Sequence, residues 1–153
     1  ENFLRNKILK LRSPEATRPW QHVIEPLVGY LLLAEKLSNK NGKFYSKPWN
    51  FGPSLHQNMK VRDLVNIFKK KMGSKSKILI NKKDRKFHNR KINIFESKHL
   101  NINSNKTYKK LRWKPRLSIN DSVQLTIDWY KAFKKKKNLF ELSKSQINEY
   151  LKK

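Results

Sequence analysis

Apolar residues in this chain fall into short periodic stretches separated by polar, lysine-rich segments. Residues 1–6 read as the end of a helix. Ile8, Leu9 and Leu11 alternate with Lys10 and predict a short strand. A turn at Ser13-Pro14-Glu15 and an extended stretch over residues 19–23 follow. Pro26 then suits the first turn of a helix, where its missing N–H costs nothing. That helix is expected to run to Leu37. Leu27, Val28, Tyr30, Leu31, Leu32, Leu33 and Ala34 wrap nearly all round it, the pattern of a helix buried on most sides. Residues 38–42 end it.

Phe44-Tyr45 and Trp49-Asn50-Phe51 suggest an extended strand closed by Gly52-Pro53. Val61, Leu64, Val65, Phe68 and Met72 then fall at helical spacing, with Lys69, Lys70 and Lys71 at the C-terminal end, where cations suit the helix dipole. Ile78-Leu79-Ile80 predicts a strand and residues 81–91 a basic loop. Ile92 with Ile94, and Leu100 with Ile102, suit short strands. Ser118 and Asp121 form a capping-box pair ahead of a helix to about Lys136, with Ile119, Val123, Thr126, Ile127, Tyr130 and Phe133 on one face. Ser143 and Gln146 repeat that spacing and predict a last short helix carrying Ile147, Tyr150 and Leu151.

Charge changes this picture less than its size suggests. The 153 residues carry a formal net charge of +26, enough to attract phosphate backbones at long range. Residues 1–60 hold 10 Lys/Arg against 4 Asp/Glu, and the remainder 27 against 7, so the excess lies in the second part. Only 8 of the 37 basic residues are Arg, whereas nucleic-acid sites favour its bidentate fork. Lys, Asn and Ile are abundant and Ala and Gly scarce, the mark of AT-rich codons. Most of the charge therefore reads as solvated faces. The length fits one domain. With no Cys there is no disulfide or thiolate metal site. No apolar run suits a membrane span, and no signal peptide is expected.

The usual catalytic constellations are missing. The four glycines, Gly29, Gly42, Gly52 and Gly73, are isolated, so no glycine-rich phosphate loop is present. Tyr130 and Lys134 match only the bare spacing of a Tyr-x-x-x-Lys pair, beside a lysine run. His22, His56, His88 and His99 are scattered, and His22 suits a hydrogen-bonded structural role. Arg12 and Arg18 stand apart. A turn between them would let two guanidinium forks face one diphosphate. The competing reading pairs Arg18 with Glu15 or Glu25 and puts Trp20 in the core.

The stretch Ala16-Thr17-Arg18-Pro19-Trp20-Gln21-His22-Val23-Ile24-Glu25-Pro26-Leu27-Val28-Gly29-Tyr30 resembles the signature of the CDP-glucose 4,6-dehydratases. These are extended short-chain dehydrogenase/reductases acting on nucleotide sugars. Three further pieces lie in that family's order: Trp49-Asn50-Phe51-Gly52-Pro53; Glu96 with Leu100-Asn101-Ile102-Asn103 and Lys106; and Leu111-Arg112-Trp113-Lys114-Pro115-Arg116 with Thr126-Ile127-Asp128-Trp129-Tyr130-Lys131-Ala132-Phe133. Arg112 departs from the family's Gly, which normally closes a helix in left-handed geometry. Phe95 and Asn103 depart from its His and Asp.

The resemblance implies an α/β fold. Residues 1–153 would form the C-terminal, mixed α+β substrate-binding lobe, roughly the last two-fifths of such an enzyme, with the Rossmann part absent. Its start at Glu1 fits a piece of something longer. The implied reaction takes a hydride from sugar C4 of CDP-glucose to bound NAD, eliminates water across C5 and C6, and returns the hydride to C6. NAD and the proton-transfer residues would belong to the upstream part, so the fragment alone should be inactive. Arg18 matches the diphosphate arginine. Leu9, Lys10, Leu11 and Arg12 match the strand lining base and ribose, Asn50 a strand near the nucleotide, and Glu96 a residue holding either the ribose or a neighbouring loop. Trp113 and Trp129 read as packing residues. A homo-oligomer in the cytoplasm is expected, with CDP-glucose as partner and neither membrane nor nucleic acid. Two alternatives remain: another nucleotide-sugar epimerase or dehydratase, and a basic nucleic-acid-binding module using Lys69–Lys71, Lys82–Lys86 and Lys134–Lys137. Exposed apolar faces left without the Rossmann part would make the chain marginally stable.

Overall fold

A computed structural model describes residues 1–54, 57–80 and 97–153. The expected strands at Ile92 and Ile94, the loop over residues 81–91, and Glu96 lie outside these residues. The fold is mixed α/β: the described residues form five α-helices and four three-residue strands. It divides into two compact units, Glu1–Arg18 with Met59–Leu100, and Pro19–Asn58 with Asn101–Lys153.

In the first unit β1 (Leu9–Leu11) pairs in parallel with β4 (Ile78–Ile80), Lys10 opposite Leu79. β2 (Thr17–Pro19) pairs with β3 (Asn58–Lys60), strands whose outer ends mark the division between units. Helix α2 (Val61–Met72) has the bounds its apolar spacing predicts, and Leu64 is its buried anchor. Gly73 closes it in left-handed geometry at φ 61°, a conformation that glycine adopts without steric cost. Leu11, Ala16, Leu64 and Ser76 are buried.

The second unit is built on helix α1 (Ile24–Ser38), α3 (Asn105–Leu111), α4 (Ile119–Lys134) and α5 (Leu139–Leu151). Two apolar clusters hold it. Ile24, Leu117 and Tyr150 form one; Phe51, Leu111 and Trp113 form the other. The Phe51 ring stands edge-on to Trp113 at 5.1 Å and to Tyr30 at 5.2 Å. Between these clusters sits Glu25, only 1% exposed. Its Oε1 accepts from the backbone N–H groups of Arg116 (2.8 Å) and Leu117 (2.6 Å), and its Oε2 from the Tyr150 hydroxyl (2.6 Å). Trp113 Nε1 donates to the Glu25 carbonyl at 3.2 Å.

Five expectations change. Helix α1 is not buried on most sides: Ile24, Glu25 and Gly29 are, but Leu27, Tyr30 and Leu37 are exposed and Leu31 is 71% exposed. Within its unit, only one face of α1 meets packing partners. Trp49-Asn50-Phe51 forms no strand, because side chains take its backbone groups. Gln21 Nε2 donates to Phe51 O, Thr107 Oγ1 to Asn50 O, and Gly52 N to Ser104 Oγ. Residues 100–102 form no strand either; His99 alone bridges Thr17. Helix α5 starts earlier than Ser143, because Asn138 is the cap, its Oδ1 accepting from Phe140 N and Glu141 N. On α4 the face is narrower than expected, for Tyr130 and Phe133 are exposed whereas Ile119, Val123 and Ile127 are buried. The Ser118–Asp121 capping box forms in both directions.

Helix α3 ends at Arg112, which adopts φ 58° and ψ 19°. This is left-handed geometry on a side chain that disfavours it. Arg112→Gly is expected to stabilise the protein by about 1 kcal/mol, read as a raised denaturant midpoint. Replacing Glu25 acts the other way. Glu25→Leu leaves two backbone N–H groups and one hydroxyl without their acceptor, each orphan costing about 1–3 kcal/mol. A loss of at least about 3 kcal/mol is expected. Glu25→Gln keeps an oxygen for the N–H pair and offers its amide to Tyr150, so its loss should be less than half as large in the same denaturation series.

Candidate functional site

The turn between Arg12 and Arg18 is fixed from several sides. Ala16 N donates to Ser13 O at 3.1 Å, closing it. Val61 N and Arg62 N, at the start of α2, donate to Ala16 O and Pro14 O at 2.9 and 3.0 Å. These are N–H groups that the first turn of a helix leaves without internal partners. The Glu15 carboxylate takes Lys60 at 3.0 Å and Arg62 at 2.6 Å. The Lys60 hydrogen bond, helped by both cations, holds its carboxyl below the usual range against desolvation.

β2 continues from this turn. Thr17 N donates to Lys98 O at 2.8 Å and Leu100 N to Thr17 O at 3.2 Å. Arg18 Nη1 donates to Thr17 O at 2.9 Å and Ser97 O at 3.0 Å. Two backbone carbonyls therefore orient the Arg18 guanidinium. The alternative pairing with Glu15 or Glu25 is not seen: Glu15 is held by Lys60 and Arg62, and Glu25 is buried among Arg116, Leu117 and Tyr150.

Lys10, Leu11, Arg12 and Arg18 thus belong to one unit. Lys10 and Arg12 are exposed. Leu11 is buried, so any role in a site falls to its backbone. Asn50 belongs to the second unit and lies on no strand. Its Nδ2 donates to Asn103 O at 3.3 Å. Ser97, whose carbonyl holds Arg18, was not legible as part of the arrangement, since it depends on a contact between distant positions.

His22 Nδ1 accepts from Ile24 N at 3.3 Å, the structural role expected of it. Burial pushes its pKa down, with the Glu25 charge opposing. Trp113 and Trp129 pack as expected: Trp113 is buried, and Trp129 stacks on Phe133 and donates to Ser143 Oγ. Among the described residues no group of His, Asp and Glu is placed to hold a metal ion, and no helix is long and apolar enough to cross a membrane.

The glycines do not cradle a dinucleotide. A Cβ on Gly29 would stand 2.3 Å from Phe51, on Gly42 2.0 Å from Leu37 O, and on Gly52 2.6 Å from Ile102. Each permits close internal packing, and Gly73 caps a helix. These residues do not fit an NAD pyrophosphate site.

No protein-family model matches the chain. It is similar to a CDP-glucose 4,6-dehydratase of Salmonella typhimurium (strain LT2), with 29% identity over 150 residues. The match takes in 98% of this chain and 39% of that protein, so the chain spans about two-fifths of its relative's length. The resemblance carried by the residues around Arg18 is thereby borne out across nearly the whole chain.

Proposed function

We propose that this chain is the substrate-binding portion of a nucleotide-sugar dehydratase, and that its substrate is CDP-glucose, converted by the whole enzyme to CDP-4-keto-6-deoxyglucose. The observation that supports this best is the similarity over 98% of the chain to a CDP-glucose 4,6-dehydratase. The geometry around Arg18 fits the same reading. A guanidinium oriented by two carbonyls on a pinned strand has lost side-chain freedom before any ligand arrives, which favours binding of a diphosphate through charge-assisted hydrogen bonds.

Arg18 is the proposed diphosphate residue, with Arg12 its neighbour across the turn. Lys10 and the Leu11 backbone would line the nucleotide, and Asn50 and Glu96 would contribute further contacts. NAD would supply the hydride chemistry from a part of the enzyme that these residues do not form. The side chains named here bind and orient; none is assigned a proton transfer. Cytoplasmic location and a homo-oligomer accompany this reading.

The test is ligand-dependent melting of the full-length protein. CDP and CDP-glucose are expected to raise Tm, and a random oligonucleotide is not. Arg18→Ala should weaken CDP binding roughly 30-fold, the loss of about 2 kcal/mol for charge-assisted hydrogen bonds. Arg12→Ala should have a smaller effect, and both variants should melt near the parent temperature without ligand. No shift with CDP, together with tight oligonucleotide binding at physiological salt, would overturn the proposal.

A further inference from the structure

The turn joining α4 to α5 concentrates two properties that the proposed substrate site does not use. It carries four consecutive lysines, Lys134 to Lys137, all exposed. Beside them Phe133 is 58% exposed and Phe140 is 72% exposed. Lys136 turns the chain at φ 52°, and Lys137 N returns to Ala132 O at 3.0 Å. This fixes the lysines at the apex of a two-helix hairpin. The hairpin is firmly built: Trp129 Nε1 donates to Ser143 Oγ at 3.1 Å and Gln146 Nε2 to Leu125 O at 3.0 Å. Trp129 also stacks on Phe133 at 5.8 Å. Next to the apex is an open hollow of about 270 Å³ lined by Lys131, Lys135, Lys137, Asn138 and Asp128.

Lysines at a helix C-terminus alone would read as a solvated face favoured by the dipole. The two phenyl rings change that reading, for exposing them costs apolar surface: Phe140 is 72% exposed, and Phe133 stays 58% exposed although one face stacks on Trp129. A surface that presents negative charge first and hydrocarbon immediately beneath it matches the apex in both respects. That surface is a bilayer containing anionic lipid. We propose that the α4–α5 apex is a peripheral contact for an anionic membrane. Phe133 and Phe140 enter the interfacial layer, and Lys134 to Lys137 lie against phosphate headgroups. This is a helix end resting on a membrane rather than a span, so it is compatible with the absence of a membrane-crossing helix among the described residues. Single-stranded nucleic acid shares the taste for cations and aromatic rings. It is disfavoured because one face of Phe133 is already stacked on Trp129, and the apex is a protruding turn rather than a groove.

The test is co-sedimentation of the intact protein with vesicles of phosphatidylcholine alone or mixed with phosphatidylglycerol, at physiological salt. Binding is expected only with phosphatidylglycerol. The double variant Phe133→Ser/Phe140→Ser and the variant with Lys134, Lys135 and Lys137 changed to Gln should each bind roughly tenfold more weakly. Changing Lys69, Lys70 and Lys71 to Gln removes the same charge from α2 and should leave binding unchanged. Four results would overturn the proposal: no vesicle binding; unaltered binding by the phenylalanine variant; equal loss from the α2 variant, which would mean attraction by net charge alone; or tight oligonucleotide binding that disappears with the two phenylalanines. All substituted positions are exposed except the half-buried Lys69, and unchanged melting curves would establish that the variants fold.

Discussion

The second unit depends on one buried carboxylate. Glu25 sits in the first turn of α1 and satisfies donors that lie 91, 92 and 125 positions away in the chain. Burying such a group is expensive unless its oxygens are met by donors. Here they are met by two adjacent backbone N–H groups and a tyrosine hydroxyl. Burial, the Glu25 hydrogen bond and the Glu25 charge push the Tyr150 hydroxyl well above its ordinary pKa, while Arg116 opposes them. Tyr150 therefore stays protonated and donates. The Arg116 guanidinium lies 5.4 Å from the Tyr150 ring centre, so the segment that supplies the N–H pair also packs on the ring that completes the network.

This arrangement explains why the sequence is legible in some places and not in others. Helix α2 could be read with its bounds, because its information is local: five apolar residues at helical spacing, lysines at the end, a glycine to stop it. The Ser118–Asp121 cap is likewise local, whereas the left-handed position of Arg112 could be suspected only from the glycine that the resembling family has there. Glu25 is not. In sequence it is an acid between an isoleucine and a proline, and nothing nearby reveals that Leu117 and Tyr150 complete it. The same reason hides the fate of Trp49-Asn50-Phe51, whose pattern suits a strand. Its backbone partners are side chains from Gln21, Ser104 and Thr107 rather than another strand. Helix α3 escaped notice because seven residues with a single buried leucine give no usable period. Of the candidate site, the residues on β1 and β2 were legible as positions. The carbonyls that orient Arg18 were not.

The exposed face of α1 follows from the same distribution of contacts. The helix turns Ile24, Glu25 and Gly29 inward, and Gly29 lets the Phe51 ring approach more closely than any side chain would permit. That close approach concentrates the packing on one stripe and leaves Leu27, Leu31 and Leu37 outside. A run of apolar residues all round a helix therefore reports what the helix can bury, not what its own unit buries. The substrate-lobe proposal accounts for this excess, since a chain matching two-fifths of its relative has no reason to cover every apolar face by itself.

Arg18 is one of several arginines held by directional contacts, while many of the lysines sit at helix ends. The lysine runs sit at helix ends: Lys69, Lys70 and Lys71 in the last turn of α2, Lys109 and Lys110 in that of α3, Lys131 and Lys134 in that of α4. There a charge needs no geometry beyond proximity to the dipole. Several of the described arginines make directional contacts. Arg62 pins Glu15, Arg5 meets Glu1 at 2.7 Å, Arg116 lies over Tyr150, and Arg18 reaches two carbonyls. Arg112 instead takes a strained, left-handed turn. The fixed geometry of a guanidinium suits such contacts, though Lys60 and Lys106 make directional contacts too, to Glu15 and the Pro48 carbonyl. Arg18 is held in that way at the end of a turn that α2, Glu15 and the 97–100 segment all help to fix. Those hydrogen bonds hold the guanidinium in place before any ligand arrives, which is what the proposed diphosphate role of Arg18 would use.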